Sequence, residues 1–260
     1  MTKLRDAIYG LAIADALGVP FEFKKRGTFT CTGMVGFGTW NQVAGTWSDD
    51  TSMTLATCKS IKDKNKVDLE DIRKNFEAWL FEDKFACHNE TFDVGMTTRE
   101  ALAEGHGIDA FYANGNGPLM RILPLAFTDA SYEEIESVSS ITHAHEISKK
   151  ACLDYVHIAR RLIAGEKLED LGLGEIKNKS EDEIQSTGFV LHTLEASLWC
   201  LLNTNSYREA VLKAINLGDD TDTTGAVTGG LAGIIYGFDE IPKEWVDELK
   251  NKEIIEECLF

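Results

Sequence analysis

The chain has 260 residues, 43% of them hydrophobic, and carries 26 Lys and Arg against 43 Asp and Glu, a formal net charge of −17. That length suits one large domain that can bury about three quarters of its unfolded surface. The acidic balance excludes a protein built to grip nucleic-acid backbones, which needs clustered Lys and Arg. It does not exclude a phosphate-bearing ligand, because a bound cation reverses the local field.

In chain order, Leu4, Ile8, Leu11, Ala12 and Ala16 recur at helical spacing and predict a first helix ended by Gly18 and Pro20. Residues 21–47 are rich in glycine, aromatic and β-branched residues without a helical period, which reads as a loop with room for a short hairpin. Met53, Leu55, Ala56 and Ile61 predict a second helix, and Leu69, Ile72, Phe76, Trp79 and Leu80 a third. Residues 112–118 form a Gly/Asn turn cluster. A long helix is predicted over 147–164, with Thr142 near its cap, and further helices over 191–202 and 207–215. The charged stretch 167–186 between them reads as a surface excursion. Residues 224–236 carry Gly225, Gly229, Gly230 and Gly233 among apolar residues. Each glycine costs a helix about 1 kcal/mol relative to alanine, so this helix belongs at the centre of a bundle, with other helices against its glycine faces.

With only four prolines and these periods, the chain reads as mainly helical. Its six cysteines are scattered, with no CxxC pair, and read as reduced thiols of a cytoplasmic protein. Acids at Asp6 and Asp15 argue against a signal peptide, and no apolar stretch is long enough to span a membrane.

Two acidic runs stand out. Ser48-Asp49-Asp50-Thr51 and Asp219-Asp220-Thr221-Asp222-Thr223 each mix carboxylates with hydroxyls and open a predicted helix. For the first run a helix start is a sufficient explanation, with Ser48 as cap and the acids at the positive end of the dipole. The second is harder to reduce to a cap, since three acids fall within four residues before a buried helix. Buried carboxylates repel one another unless protonated or bound to a cation, and carboxylate plus hydroxyl oxygen suits a hard divalent ion. This is no EF-hand loop: counted from Asp220, the fifth and twelfth positions are Thr224 and Leu231. A site would have to be assembled from both runs, with Thr51 and Thr223 adding hydroxyl oxygens. His143 and His145 have no third ligand at zinc spacing.

Six segments, in order, resemble the motifs of the ADP-ribosylglycohydrolase family. They are 10–23 with Asp15-Ala16-Leu17-Gly18-Val19-Pro20-Phe21-Glu22, 47–51, 92–99 with Asp93-Val94-Gly95-Met96-Thr97-Thr98-Arg99, 115–121 with Gly115-Asn116-Gly117-Pro118-Leu119-Met120-Arg121, Thr142-His143, and 218–223. Any one of them alone is weak, and their order over most of the chain makes the resemblance specific. Ala14, Ser48, Phe189 and Asp219 depart from the residues most frequent at those positions.

The resemblance implies an all-α fold, a single compact multi-helix domain over residues 1–260 with a binuclear metal site at one end of the bundle. Two Mg²⁺ or Mn²⁺ ions would be held by Ser48, Asp49, Asp50, Asp220, Asp222 and Thr223. Glu22 and Asp93 are both candidates for the catalytic base. On their residues alone, Glu22 reads as a loop acid in water and Asp93 as a helix cap. Gly95, Thr97, Gly115, Asn116, Gly117, Met120, His143 and Phe189 would contact substrate, the glycine loop cradling a diphosphate and Phe189 stacking on adenine. Arg121 is either a ligand contact or one half of a structural ion pair.

The implied activity is divalent-metal-dependent hydrolysis that removes ADP-ribose from a modified protein or small molecule and releases ADP-ribose. An arginine-linked acceptor is the first reading by analogy, with serine-linked or small guanidine acceptors as alternatives. No nucleic-acid or membrane partner is expected. A non-catalytic member is the different-class alternative, against which the intact acidic runs speak.

Overall fold

The computed structural model describes residues 2–260. Its helices are α1 (Lys3–Gly18), α2 (Asp49–Lys64), α3 (Leu69–Glu82), α4 (Met96–Glu104), α5 (Gly117–Met120), α6 (Tyr132–Ser139) and α7 (Glu146–Ile163). They continue with α8 (Gly174–Lys177), α9 (Val190–Leu202), α10 (Tyr207–Asn216), α11 (Thr221–Tyr236), α12 (Lys243–Glu248) and α13 (Lys252–Cys258). Among the described residues there is no strand, only isolated bridges, so the expected all-α fold is observed. The hairpin allowed for in 21–47 shrinks to a single antiparallel bridge between Phe37 and Gln42, because glycine-rich chain gives a ladder too few side chains to pack. Among the described residues, no helix is long and apolar enough to cross a membrane.

Two helices form the centre. Thirteen of the sixteen residues of α1 and fourteen of the sixteen of α11 are buried, so neither keeps a solvent face. They lie antiparallel. At one end Thr221 Oγ1 donates to the Gly18 carbonyl at 2.8 Å, and at the other Lys3 Nζ donates to the Ile234 carbonyl at 2.8 Å. Glycine makes this contact possible: a Cβ at Gly229 would collide with the Gly10 carbonyl and the Ala14 methyl, and one at Gly233 with the Asp6 carbonyl. The expected glycine faces thus carry a partner, and close backbone packing offsets their helix cost. α2, α7, α9 and α10 pack around this pair.

One helix start differs from expectation. α7 begins at Glu146 with His145 as its cap, and Thr142 lies outside the helix. The Thr142 hydroxyl is engaged by Arg121 and His143, which removes it from capping.

The antiparallel pairing puts Asp15, near the end of α1, beside the start of α11. The start of α2 is tied to the same place, since the Asp15 carboxylate accepts from the Ser48 amide at 2.9 Å and the Thr51 amide at 3.0 Å. Two helix N-termini therefore converge at one end of the bundle, and their dipoles favour negative charge there.

Candidate metal centre and cleft

The two acidic runs meet. Thr223 Oγ1 lies 3.3 Å from Asp50 Oδ2, across 173 positions of sequence. Carboxylate oxygens form two triads, Asp15–Asp50–Asp222 and Glu22–Asp220–Asp222, each with its atoms within 4.8 Å of one another. Asp222 belongs to both.

Helix capping does not explain these residues. Ser48 and Asp220 occupy the N-cap positions of α2 and α11, yet neither side chain caps its helix. Ser48 Oγ instead sits 2.9 Å from Asp15 Oδ1 and 3.1 Å from Asp50 Oδ2. Asp93 is no cap either, because α4 is capped at Gly95. Asp93 has φ 55°, in the left-handed region, and lines the cleft beside Glu22 and Asp220. Nor is Glu22 a loop acid in water: it is 5% exposed, and its carboxylate accepts from Trp40 Nε1.

Burial, and then the charges of Asp222 and Asp220, push Glu22 up to about 9. Asp49, Asp50, Asp93 and Asp222 are all held well above the carboxylate range by burial first and by neighbouring acids second. Burial raises Asp220 as well. Asp15 is raised to about 6 by burial, opposed by the hydrogen bonds it accepts from Thr51 and Ser48. So many like charges in one place cannot all ionise unless a cation joins them.

The donor set fits such a cation. Asp50 Oδ1, Asp220 Oδ1 and Asp222 Oδ2 are buried without a hydrogen-bond partner, an arrangement proteins otherwise avoid. Hard oxygen donors without thiolate or imidazole suit Mg²⁺ or Mn²⁺ better than zinc. Asp15 has a different role. Its oxygens accept from Ser48 N, Ser48 Oγ, Thr51 N and Thr51 Oγ1, so it holds the first run in place from beneath. The Thr51 hydroxyl, expected as a spare oxygen, donates to Asp15 at 2.6 Å. Asp219 is exposed, has φ 57° and belongs to neither triad.

Above the acids lies a cleft of about 500 Å³. Glu22, Asp49, Asp93, Asp220 and Thr223 line its floor side together with Gly95 and Thr97. Gly115, Asn116, Gly117, Met120 and His143 complete the lining from the expected set. Ser48, Asp50 and Asp222 are buried below the surface. Phe189 does not line the cleft. Its backbone bridges Gly115, its ring packs edge-on against His192, and its neighbour Gly188 takes the lining position.

The glycine loop is braced from several sides. The Asn116 amide donates to the Gly188 carbonyl at 2.9 Å, so that N–H is not open to a diphosphate as expected. The Asn116 side chain donates to Asp220 Oδ2 at 2.9 Å and so orients a candidate metal ligand. A Cβ at Gly117 would press on the His143 ring, which explains glycine there. Arg121 is fully buried and, among the described residues, has no acid in ion-pair contact. Its guanidinium donates to the Gly117 carbonyl at 2.6 Å and to Thr142 Oγ1 at 2.8 Å, and stacks over Phe76. Thr142 Oγ1, accepting from Arg121, also hydrogen-bonds His143 Nδ1 at 2.7 Å. Burial, and then Arg121, push His143 down to about 3, so the ring at the cleft wall is neutral.

Sequence reasoning missed Asp15 and Trp40 as site residues. Asp15 had a signal, an acid among Ala and Leu on a helix with no polar face, whereas nothing local marked Trp40 within its loop.

Comparison with known proteins follows the same lines. The family model described as ADP-ribosylglycohydrolase matches residues 1–259. The chain is 34% identical to an ADP-ribosylarginine hydrolase of Serratia proteamaculans, over 98% of this chain and 77% of that protein. It is 30% identical to the ADP-ribosyl-[dinitrogen reductase] glycohydrolase of Rhodospirillum rubrum, over 95% and 90%. A solved ADP-ribosylglycohydrolase-related protein complex superposes with a TM-score of 0.84 at 29% identity, covering 98% of this chain and 95% of that one.

Proposed function

The chain belongs to the ADP-ribosylglycohydrolase family, and from that membership we propose that it hydrolyses the bond between ADP-ribose and a modified acceptor, an arginine side chain in the first instance. The observation that carries this reading is the pair of carboxylate triads that share Asp222, with Glu22 and Asp220 reaching the lining of one cleft. Residues 1–260 act as one domain, with the cleft at the end where α2 and α11 begin. The six cysteines are free and buried, which suits the reducing cytoplasm.

Two Mg²⁺ or Mn²⁺ ions are the cofactors in this reading, held by Ser48, Asp49, Asp50, Asp220, Asp222 and Thr223. When bound they supply Lewis acidity and a template for ribose hydroxyls and water. The chain's own residues do the rest. The charge of Glu22 raises Asp93, so the two acids titrate together and one member readily keeps a proton the other has lost. Hydrolysis at the ribose anomeric carbon needs a carboxylate to take the proton from the attacking water. An oxygen-linked acceptor also needs a proton on its leaving oxygen, whereas a guanidinium-linked acceptor departs as neutral guanidine. Either member of the pair suffices as base, and the pair together can serve both kinds of acceptor. His143 and the loop 115–117 form the wall for the ADP-ribose moiety, where neutral donors can meet phosphate oxygens without a basic side chain.

The test is release of free ADP-ribose from arginine-, serine- and glutamate-linked ADP-ribosyl peptides, with Mg²⁺ or Mn²⁺ and with chelator. Release from the arginine-linked peptide only with metal is the expected result. No release from any of the three would refute the assignment.

A further inference from the structure

The cleft mouth beside Glu22 is aromatic. Phe23 and Trp40 both line the cleft, with ring centroids 6.2 Å apart and planes at 60°. Phe92, which does not line it, packs against Trp40 at 5.7 Å. Trp40 Nε1 donates to the Glu22 carboxylate and Thr39 Oγ1 donates to the Glu22 carbonyl at 2.6 Å, so indole and acid are held as one piece.

Phe23 is the unusual member. Its ring is 66% exposed, and its backbone has φ 64°, a conformation that bulky residues disfavour. It is kept there by a clamp. The Phe23 amide donates to the Asp219 carbonyl at 2.6 Å, and the Asp219 amide donates back to the Lys24 carbonyl at 2.8 Å. Asp219 itself has φ 57°. Two residues are thus held in left-handed backbone, and the outcome is a phenyl ring presented to solvent at the rim of the site. Strain of this kind persists where surrounding contacts over-determine it, and it clusters at functional positions.

We propose that Phe23 and Trp40 form the acceptor subsite and select a planar cationic acceptor, a guanidinium, over a neutral one. This rests on the hydrolase reading above and specifies its acceptor. Aromatic faces attract a cation lying over them, and a flat guanidinium also stacks. The two rings adjoin Glu22, at the reacting end. Adenine lies two riboses and a diphosphate away from the scissile bond, too far to share those rings. The guanidinium is charged in the bound substrate and keeps charge until its bond to ribose has fully broken, so the attraction acts alike on ground and transition states and its loss falls on KM with kcat unchanged.

Phe23→Asn tests this, because asparagine tolerates left-handed backbone and removes only the ring. Arginine- and serine-linked ADP-ribosyl peptides are compared with metal present, and ADP-ribose is used as an inhibitor of each variant. The expected result is an arginine-to-serine ratio of kcat/KM lowered about ten-fold through KM, the size of a partly desolvated cation–π contact. Inhibition by ADP-ribose stays as in the wild type, and Phe23→Trp keeps the preference. Equal losses on both peptides, an unchanged ratio, or weakened inhibition by ADP-ribose would each overturn the subsite. A wild-type protein that cleaves only the serine-linked peptide overturns it too while leaving the hydrolase standing. Cleavage of neither peptide removes both.

Discussion

Replacing Asp15 by alanine tests how the acidic centre is built. The carboxylate is fully buried and accepts from the Ser48 and Thr51 amides and from both hydroxyls. In Asp15→Ala the hydroxyls can rotate but the two amides lose their acceptor, at about 1–3 kcal/mol each, or about 4 kcal/mol together. Against this stands the burial of the wild-type charge. Burial lifts the Asp15 carboxyl from 3.8 to about 6, roughly two units, so its ionised form carries about 3 kcal/mol of penalty that alanine does not. A carboxyl raised on folding stabilises fully below its unfolded value near 4, and that stability is lost as pH rises through about 6. The destabilisation by Asp15→Ala should therefore be near 4 kcal/mol in acid and shrink to about 1 kcal/mol at pH 8. Urea unfolding in chelator at pH 4.5 and pH 8 measures both. A difference that is flat or grows with pH would refute the claim that Asp15 is a charge buried for the sake of its neighbours.

Other substitutions probe the site and its frame. Asp50→Ala and Asp220→Ala each remove a carboxylate with an unpartnered oxygen, and should weaken Mn²⁺ binding at least a hundred-fold in calorimetry while the circular dichroism spectrum is kept. Asn116→Ala takes the amide donor from Asp220 and should weaken binding about ten-fold, the usual effect of losing a group that orients a ligand. A cation bound beside Glu22 would favour its ionised form and so release the proton it keeps, since burial and then Asp222 and Asp220 push it up to about 9. Added Mn²⁺ should accordingly raise the melting temperature more at pH 8.5 than at pH 6, and calorimetry should show proton release. Gly229→Ala drives a methyl into the Gly10 carbonyl and should cost about 3 kcal/mol, seen as a lower urea midpoint with unchanged slope.

Much of the fold is legible in local pattern. The stripe Leu4, Ile8 and Leu11, the glycines at 225, 229 and 233, and the absence of alternating apolar runs point to a helical bundle with the last long helix at its centre, because helix period and glycine cost are properties of short segments. The order of the motifs carries the family for the same reason, since each is a local constraint on backbone or charge. Pairing is what local pattern lacks. Asp50 and Thr223 are 173 positions apart, and their contact follows from the antiparallel fit of Gly10 against Gly229, which sets the start of α11 beside Asp15, and from the bonds by which Asp15 holds the start of α2. Capping was the fair explanation of Ser48 and Asp93 until the tertiary structure turned those side chains toward other carboxyls. Asp15, Trp40 and the engaged Asn116 amide depend likewise on partners brought from elsewhere in the chain. The sequence determined which groups are present and which segments are helical. The tertiary structure decided which carboxylates are buried together without partners, because desolvation and like-charge repulsion arise only once distant segments share one interior.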